Sequence, residues 1–266
     1  MNMLIDSPVF LFLFLFGSIF GSFLNVVIYR VPKKMSLVTP SSHCFNCKKS
    51  IPFRYNIPIV GYYLLRGKCK FCQKSFPSRY VFVELITAIL TIIIYLIFGL
   101  TASFFMYVIL TYLLLAVTFV DIDHFIIPNG FILFGIMVLG FGLFYDLLSI
   151  GWEYSLSGSF VFAGFLFGIG LIGQFVLKKE SIGFGDVKLG LVLGGFLGVE
   201  YSVLALYLSF AISAILVIFF YRNRIKSSDS KIPFGPFLAA GTLISLFTIR
   251  PDGGNYILNW YYSTMF

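Results

Sequence analysis

Charge is what this chain has least of: only 11% of its 266 residues are Asp, Glu, Lys or Arg. A water-soluble domain carries about 25% charged residues, so that class is excluded. Disorder is excluded by the opposite count. With 59% hydrophobic residues and 34 Phe, the chain holds more apolar surface than an unfolded segment keeps in water. Acid is scarcer than base, 11 Asp+Glu against 19 Lys+Arg, giving a net charge of +8. That sign invites a nucleic-acid reading, but no recognition motif accompanies it, and no nucleic-acid partner is expected. No Lys or Arg precedes the first apolar run, which carries Asp6 and is followed by Arg30, Lys33 and Lys34. This order is the reverse of a cleavable signal peptide, so the run is read as a retained span.

What is present is apolar length. A bilayer core about 30 Å thick takes roughly 20 apolar residues in helix. Candidate spans lie near 8–29, 80–98, 103–122, 128–145, 158–177, 186–199, 201–221 and 235–249. The expected fold is an all-α polytopic membrane protein of about eight transmembrane helices with a small cytoplasmic insertion. The 36 residues of 186–221 are read as two spans turning at Gly198–Tyr201. Three parts follow: a first transmembrane helix (1–30), a cysteine-bearing module (31–79) and a membrane domain (80–266). Arg30 and the 31–79 stretch hold eleven Lys/Arg and no acid. With Lys178, Lys179, Lys188, Arg222, Arg224, Lys226 and Lys231, eighteen of the nineteen cations fall on one side of this map. The positive-inside rule makes that side cytoplasmic. The basic charge is then topology and contact with anionic lipid headgroups.

The only cysteines are Cys44, Cys47, Cys69 and Cys72, two CxxC pairs separated by 21 residues. Each CxxC turn aims two thiolates at one point, and four soft ligands complete a tetrahedral zinc site. Lys48, Lys49, Lys68, Lys70 and Lys74 surround the pairs, which favours thiolates and offsets the charge of a metal held by four cysteines. A closed four-cysteine site is structural rather than catalytic: it folds a loop too small for a large core. Disulfides are disfavoured by the reducing cytoplasm. His43 reads as a surface histidine, since four Cys already fill the shell.

Acids near a bilayer are costly and mark function. Asp121 and Asp123 end the third span, and Asp186 lies in Gly183-Phe184-Gly185-Asp186-Val187-Lys188 between the fifth and sixth. The charge-derived topology puts all three on one side at similar depth. Two carboxylates placed close together share a proton, so one can act as base toward water while the other donates to a carbonyl. The competing readings are interfacial residues that end a span, with Asp186 paired to Lys188 or a helix N-terminus, and a transporter relaying charge through its acids. Glu84 is either a first-turn acid or part of a substrate or methyl-donor site. Asn25 is expected to bond a neighbouring helix. Gly17 and Gly21, Gly164 and Gly168, and Gly190 and Gly194 are spaced for close helix packing. The Pro233–Pro236 stretch is expected to border the cavity that holds the acids.

Taken together, the motifs resemble the bacterial type IV prepilin peptidases, GxGD-type aspartic proteases of the inner membrane. The match runs through Gly21 to Pro32, the two CxxC pairs, Ser78-Arg79-Tyr80 with Val83-Glu84-Leu85, Asp121 to Asn129, Gly183 to Lys188, and Ile232 to Ala239. The resemblance implies that Asp121 and Asp186 are the catalytic pair, with Gly183, Gly185, Asp123 and Lys188 in support. It implies prepilin or pseudopilin precursors as substrates, with a short basic leader cut off at the cytoplasmic face. Members with the cysteine module also N-methylate the new terminus with S-adenosylmethionine. No dinucleotide-type glycine fingerprint points to that donor's ligands, which stay unassigned. Val81-Phe82 stand where the family often has Pro after Arg-Tyr, and Asn129 where many relatives have Asp. The basic leader is expected to be drawn to an acidic cluster of Asp121, Asp123, Glu180 and Asp186. The alternative from another class is a zinc-stabilised membrane transporter or assembly factor with structural carboxylates.

Overall fold

The structure, a computed structural model, describes residues 3–148, 150–178, 182–221, 232–250 and 254–265. Glu180, Lys179 and the cations from Arg222 to Lys231 lie outside the described residues. Among those described, regular structure is helical, and β-pairing is limited to three isolated bridges. The all-α expectation holds. The chain divides into two compact units, residues 1–96 and 97–266.

The first unit is built on two long helices, α1 (Met3–Arg30) and α3 (Arg79–Phe98), with a short α2 (Val60–Leu64) in the segment that joins them. Their contact is made by small residues, as expected. A Cβ on Gly17 would lie 2.6 Å from Ala88 Cα, and one on Gly21 would lie 2.7 Å from Glu84 Cα. Any larger side chain at either glycine forces the backbones apart. In lipid such close approach matters, because helix association rests on van der Waals packing rather than on apolar burial from water.

The second unit holds α4 (Ala102–His124), α5 (Asn129–Phe144), α6 (Trp152–Leu177), α7 (Phe184–Leu216), α8 (Gly235–Phe247) and α9 (Tyr256–Met265). Helix α4 is its centre, with 72% of its apolar window buried inside the protein. Its start is capped by Thr101, whose hydroxyl accepts from the Phe104 N–H at 3.2 Å. Helix α6 is the opposite case, only 22% buried over its apolar window, with Phe160, Ile172 and Phe175 all exposed. An apolar helix with that much uncovered surface is matched to hydrocarbon rather than to water. Its inner stripe packs on α7, where Gly158 and Gly194 bring the two backbones into direct contact. Gly164 and Gly168 do not share this role: space around both is open. Helical spacing put them on one stripe, but that stripe is not the one facing α7.

Helical segments occur at all the expected spans, with one qualification. Among the described residues, five helices are long and apolar enough to cross a bilayer, counting Phe184–Phe219 as one, while Asn129–Phe144 and Gly235–Phe247 are apolar but shorter. Within α7, Gly198 is not helical (φ 71°, ψ −176°) and divides the segment in two. The break falls where the sequence pattern places a turn. Only glycine adopts this conformation without strain.

Candidate active site and metal centre

The second unit brings Asp121 and Asp186 together. Asp121 occupies the last turn of α4, whose chain then leaves the helix through Phe125 in the left-handed region (φ 55°). Asp186 sits in the first turn of α7, its N–H donating to the Gly183 carbonyl at 3.0 Å. An acid there is favoured by the positive end of the helix dipole. Both side chains are buried, 5% and 8% exposed, and Asp186 lies within electrostatic range of Asp121. The end of α4 and the start of α7 thus carry two buried carboxylates within electrostatic range of each other.

The surroundings leave them little freedom. Asp121 Oδ2 accepts a hydrogen bond from the Gly235 N–H at 2.9 Å, and a Cβ on Gly235 would lie 2.8 Å from that oxygen. A Cβ on Gly183 would stand 3.1 Å from Asp186 Oδ2, and one on Gly185 3.2 Å from Ile127 Cβ. The first glycine of the pair makes room for the carboxylate. The second lets the start of α7 close on the turn between α4 and α5. The Pro233–Pro236 stretch touches Asp121 through Gly235, but the backbone donor that tethers Asp121 could not be foreseen from residue types.

Asp123 is exposed, away from the pair. Two residues along a helix turn the side chain by about 200°, so Asp121 and Asp123 cannot share a face. Lys188 does not pair with Asp186. Its Nζ donates to Asn129 Oδ1 at 3.1 Å and lies 4.8 Å from the Phe184 ring centre, tying α7 to the start of α5.

In the first unit the four cysteines form a cluster whose sulfurs all lie within 4.8 Å of one another. Cys44 Sγ is 3.7 Å from Cys72 Sγ, and Cys47 Sγ is 3.9 Å from Cys69 Sγ. These separations exceed a disulfide bond and match the edge, about 3.8 Å, of a tetrahedron with metal–sulfur bonds of about 2.3 Å. The two knuckles are built alike. Cys44 and Cys69 each donate to the carbonyl of the lysine five residues on, at 3.0 and 2.8 Å, and accept from the residue four on, at 2.9 and 3.0 Å. Lys48 and Gln73 occupy the same left-handed position, both at φ 57°. The Lys74 N–H chiefly holds the Cys72 thiol down to about 6, and the Cys47 N–H chiefly lowers that of Cys44. Cys47 is pushed up to about 11, the Lys49 N–H pulling against burial and the other cysteines. Four thiolates this close repel one another unless a cation sits among them. The donor set therefore fits a thiophilic divalent metal, and His43, whose Nδ1 lies 2.9 Å from the Ser41 carbonyl oxygen, is outside the cluster.

Beside the cluster, still in the first unit, is a cavity of about 170 Å³ walled by Tyr29, Phe45, Tyr55, Tyr62, Phe76 and Tyr80. Glu84 lines it, buried at 8% exposure, and is not in the first turn of α3. Its Oε2 accepts from the Ile59 N–H at 2.7 Å, and the Ser22 hydroxyl also donates to it. Asn25 donates from Nδ2 to the Tyr80 carbonyl at 3.0 Å, the helix-to-helix bond expected of it. The sequence carries no motif for this cavity, because its walls come from residues scattered between positions 22 and 84.

Apolar helices of membrane-spanning length, two buried carboxylates at helix ends and a four-cysteine cluster fit one class, that of membrane-embedded peptidases with a metal-binding module. The chain belongs to the type IV leader peptidase family. The model of that family matches residues 108–218, and that of the bacterial peptidase A24 N-terminal domain matches residues 15–98. Among relatives, the prepilin leader peptidase/N-methyltransferase of Pseudomonas aeruginosa is 34% identical, over 87% of this chain and 88% of its own length. Proteins of the same description from Legionella pneumophila and Aeromonas salmonicida are 31% and 32% identical, over 97% and 96% of this chain. No solved structure matches.

Proposed function

We propose that this protein is a membrane aspartic endopeptidase that removes the short basic leader of prepilin or pseudopilin precursors at the cytoplasmic face of the inner membrane, and then N-methylates the new terminus. The observation that carries the reading is that Asp121 and Asp186, both buried, stand at the end of α4 and the start of α7 within electrostatic range of each other. A transporter relay needs acids along a path through the membrane, whereas these stand at helix ends.

In the proposed cleavage, one carboxylate of the pair takes a proton from a water molecule whose oxygen attacks the scissile carbonyl. The other, protonated, gives its proton to the carbonyl oxygen. The tetrahedral adduct then collapses: the C–N bond breaks, the leaving amine takes up the proton held by the first carboxylate, and one adduct hydroxyl re-forms the carbonyl by returning its proton to the second. The pair titrates as a unit. Gly235 tethers Asp121 through its N–H, so one carboxylate oxygen is committed to the main chain and the other is left for the reaction. A peptide bond inside an apolar helix is shielded by its own hydrogen bonds. Cleavage where the leader meets that helix avoids unwinding a span in lipid. The basic leader carries charge opposite to Asp121, Asp123 and Asp186.

The sulfur cluster is assigned to zinc held by Cys44, Cys47, Cys69 and Cys72, as a closed structural site that folds the 31–79 module. When bound, S-adenosylmethionine supplies a methyl group that leaves its sulfonium with breakage of the C–S bond, as the pilin amine forms a C–N bond and loses a proton. The module's role is to hold that donor and orient the amine.

The test is cleavage of a purified prepilin by the purified protein and by Asp121→Asn and Asp186→Asn. Both variants should be inactive. Undiminished cleavage by either one removes the aspartyl mechanism.

A further inference from the structure

The aromatic cavity of the first unit has a chemistry that its position in the fold does not explain. Glu84 is a buried carboxylate whose two named donors, the Ile59 N–H and the Ser22 hydroxyl, are both neutral. A buried charge held only by neutral groups is costly, and a cation beside it removes the cost. The same cavity is lined by Tyr29, Phe45, Tyr55, Tyr62, Phe76 and Tyr80, and the electron-rich faces of such rings also attract cations. Lys33 Nζ already lies 3.5 Å from the Tyr29 ring centre. The Asn25 amide is oriented by its bond to the Tyr80 carbonyl, which leaves its own carbonyl oxygen as an acceptor. Arg30 lines the same cavity, buried at 6% exposure, its guanidinium donating to the Ser36 carbonyl at 2.9 Å and to the Pro40 carbonyl.

We propose that this cavity is the methyl-donor site, with Glu84 facing the cationic end of S-adenosylmethionine and the aromatic wall receiving its purine. The inference rests on the methyltransferase reading above and names the residues for it. The ligand brings what the cavity selects: a sulfonium and an ammonium for Glu84, a flat ring for the tyrosines, an exocyclic amine for the Asn25 oxygen and a carboxylate for Arg30. At about 170 Å³ the cavity is smaller than the roughly 300–1,000 Å³ of pockets that engulf a ligand of this size. The donor is therefore seated by part of its length, with the rest in the mouth. The cavity shares its walls with the knuckles, Phe45 lying between Cys44 and Cys47 in sequence. Loss of the metal then loosens the donor site without touching the carboxylate pair.

The experiment uses the full-length protein in detergent. Binding of radiolabelled S-adenosylmethionine is measured by equilibrium dialysis for the parent, Glu84→Gln and Tyr55→Leu, with melting temperature as the control for folding. Ultraviolet crosslinking of the labelled donor to the parent is mapped by peptide sequencing. The inference expects at least tenfold weaker binding for each variant at unchanged melting temperature, and label on peptides carrying Tyr29, Tyr55 or Tyr80. Parent-like binding by both variants, or label confined to residues 97–266, overturns it. If a variant fails to fold, the crosslinking map of the parent decides alone. Should the cavity instead hold the pilin's freed N-terminus, the variants would bind donor normally and lose affinity for a processed pilin peptide, which also overturns the assignment. Methyl transfer by the parent separates the two levels. Transfer with a misplaced binding site refutes the cavity, whereas a parent that neither binds donor nor transfers a methyl group refutes the methyltransferase reading itself.

Discussion

The two units hold their functional groups by opposite means. In residues 97–266 the acids come from the rigid ends of long helices, and packing with two or three glycines fixes them. In residues 1–96 the cysteines lie on a segment with little regular structure, and the sulfur cluster ties that segment together. A site built on helices needs the fold and nothing else. A site built on a short irregular segment depends on its ion, since the segment has too little core of its own. The two proposed activities should therefore fail under different insults.

The strongest way to break this comparison is through the acids. Asp121→Asn or Asp186→Asn should lower kcat/KM for prepilin cleavage by about 10²–10⁴-fold, while methyl transfer to an already processed pilin changes by less than about threefold. A parallel collapse of both activities, followed by mass spectrometry of the pilin, would merge the two sites into one. Next in size is the metal. Cys69→Ser, or exhaustive chelation, should remove the bound metal by elemental analysis and cut methyl transfer by at least about tenfold, with a smaller loss of cleavage. The reverse outcome, cleavage lost and methyl transfer kept, would invert the assignment of the module.

A finer probe is Gly235→Ala. The added Cβ would stand 2.8 Å from Asp121 Oδ2, so the carboxylate must shift or the turn must open. Misplacement by a fraction of an ångström should cost about tenfold or more in kcat with little change in KM; equal loss in both would mean that the turn binds substrate. The smallest effect is expected at the link between α5 and α7. Asn129→Asp converts the neutral hydrogen bond to Lys188 into an exposed ion pair, worth about 0–1 kcal/mol. The melting temperature should rise slightly or stay level, and cleavage should stay within about twofold; a large activity change would put Lys188 at the reaction after all.

Much of this was legible in the residues because lipid leaves few options. Apolar run lengths give the helices, and two CxxC turns give a four-sulfur cluster almost regardless of what lies between them. Asp121 and Asp186 could be paired because both sit at the ends of apolar runs and charge asymmetry put those ends on one side. What did not show is anything fixed by rotation about a helix or by irregular backbone. Gly164 and Gly168 have the right spacing but the wrong face, and Asp123 turns away from its neighbour Asp121. The Gly235 N–H is a main-chain group that no residue type announces. The aromatic cavity is assembled from separate short stretches, and Glu84 reads as an ordinary helix-start acid until Ile59 is seen donating to it.

The tether on Asp121 has a consequence for variation. Its donor belongs to the main chain, so nearly every replacement at position 235 would keep the N–H and disturb the acid only by bulk. Proline alone would delete it. Selection at that position thus acts on size, and a screen of all substitutions there should rank by side-chain volume, with proline set apart at the bottom.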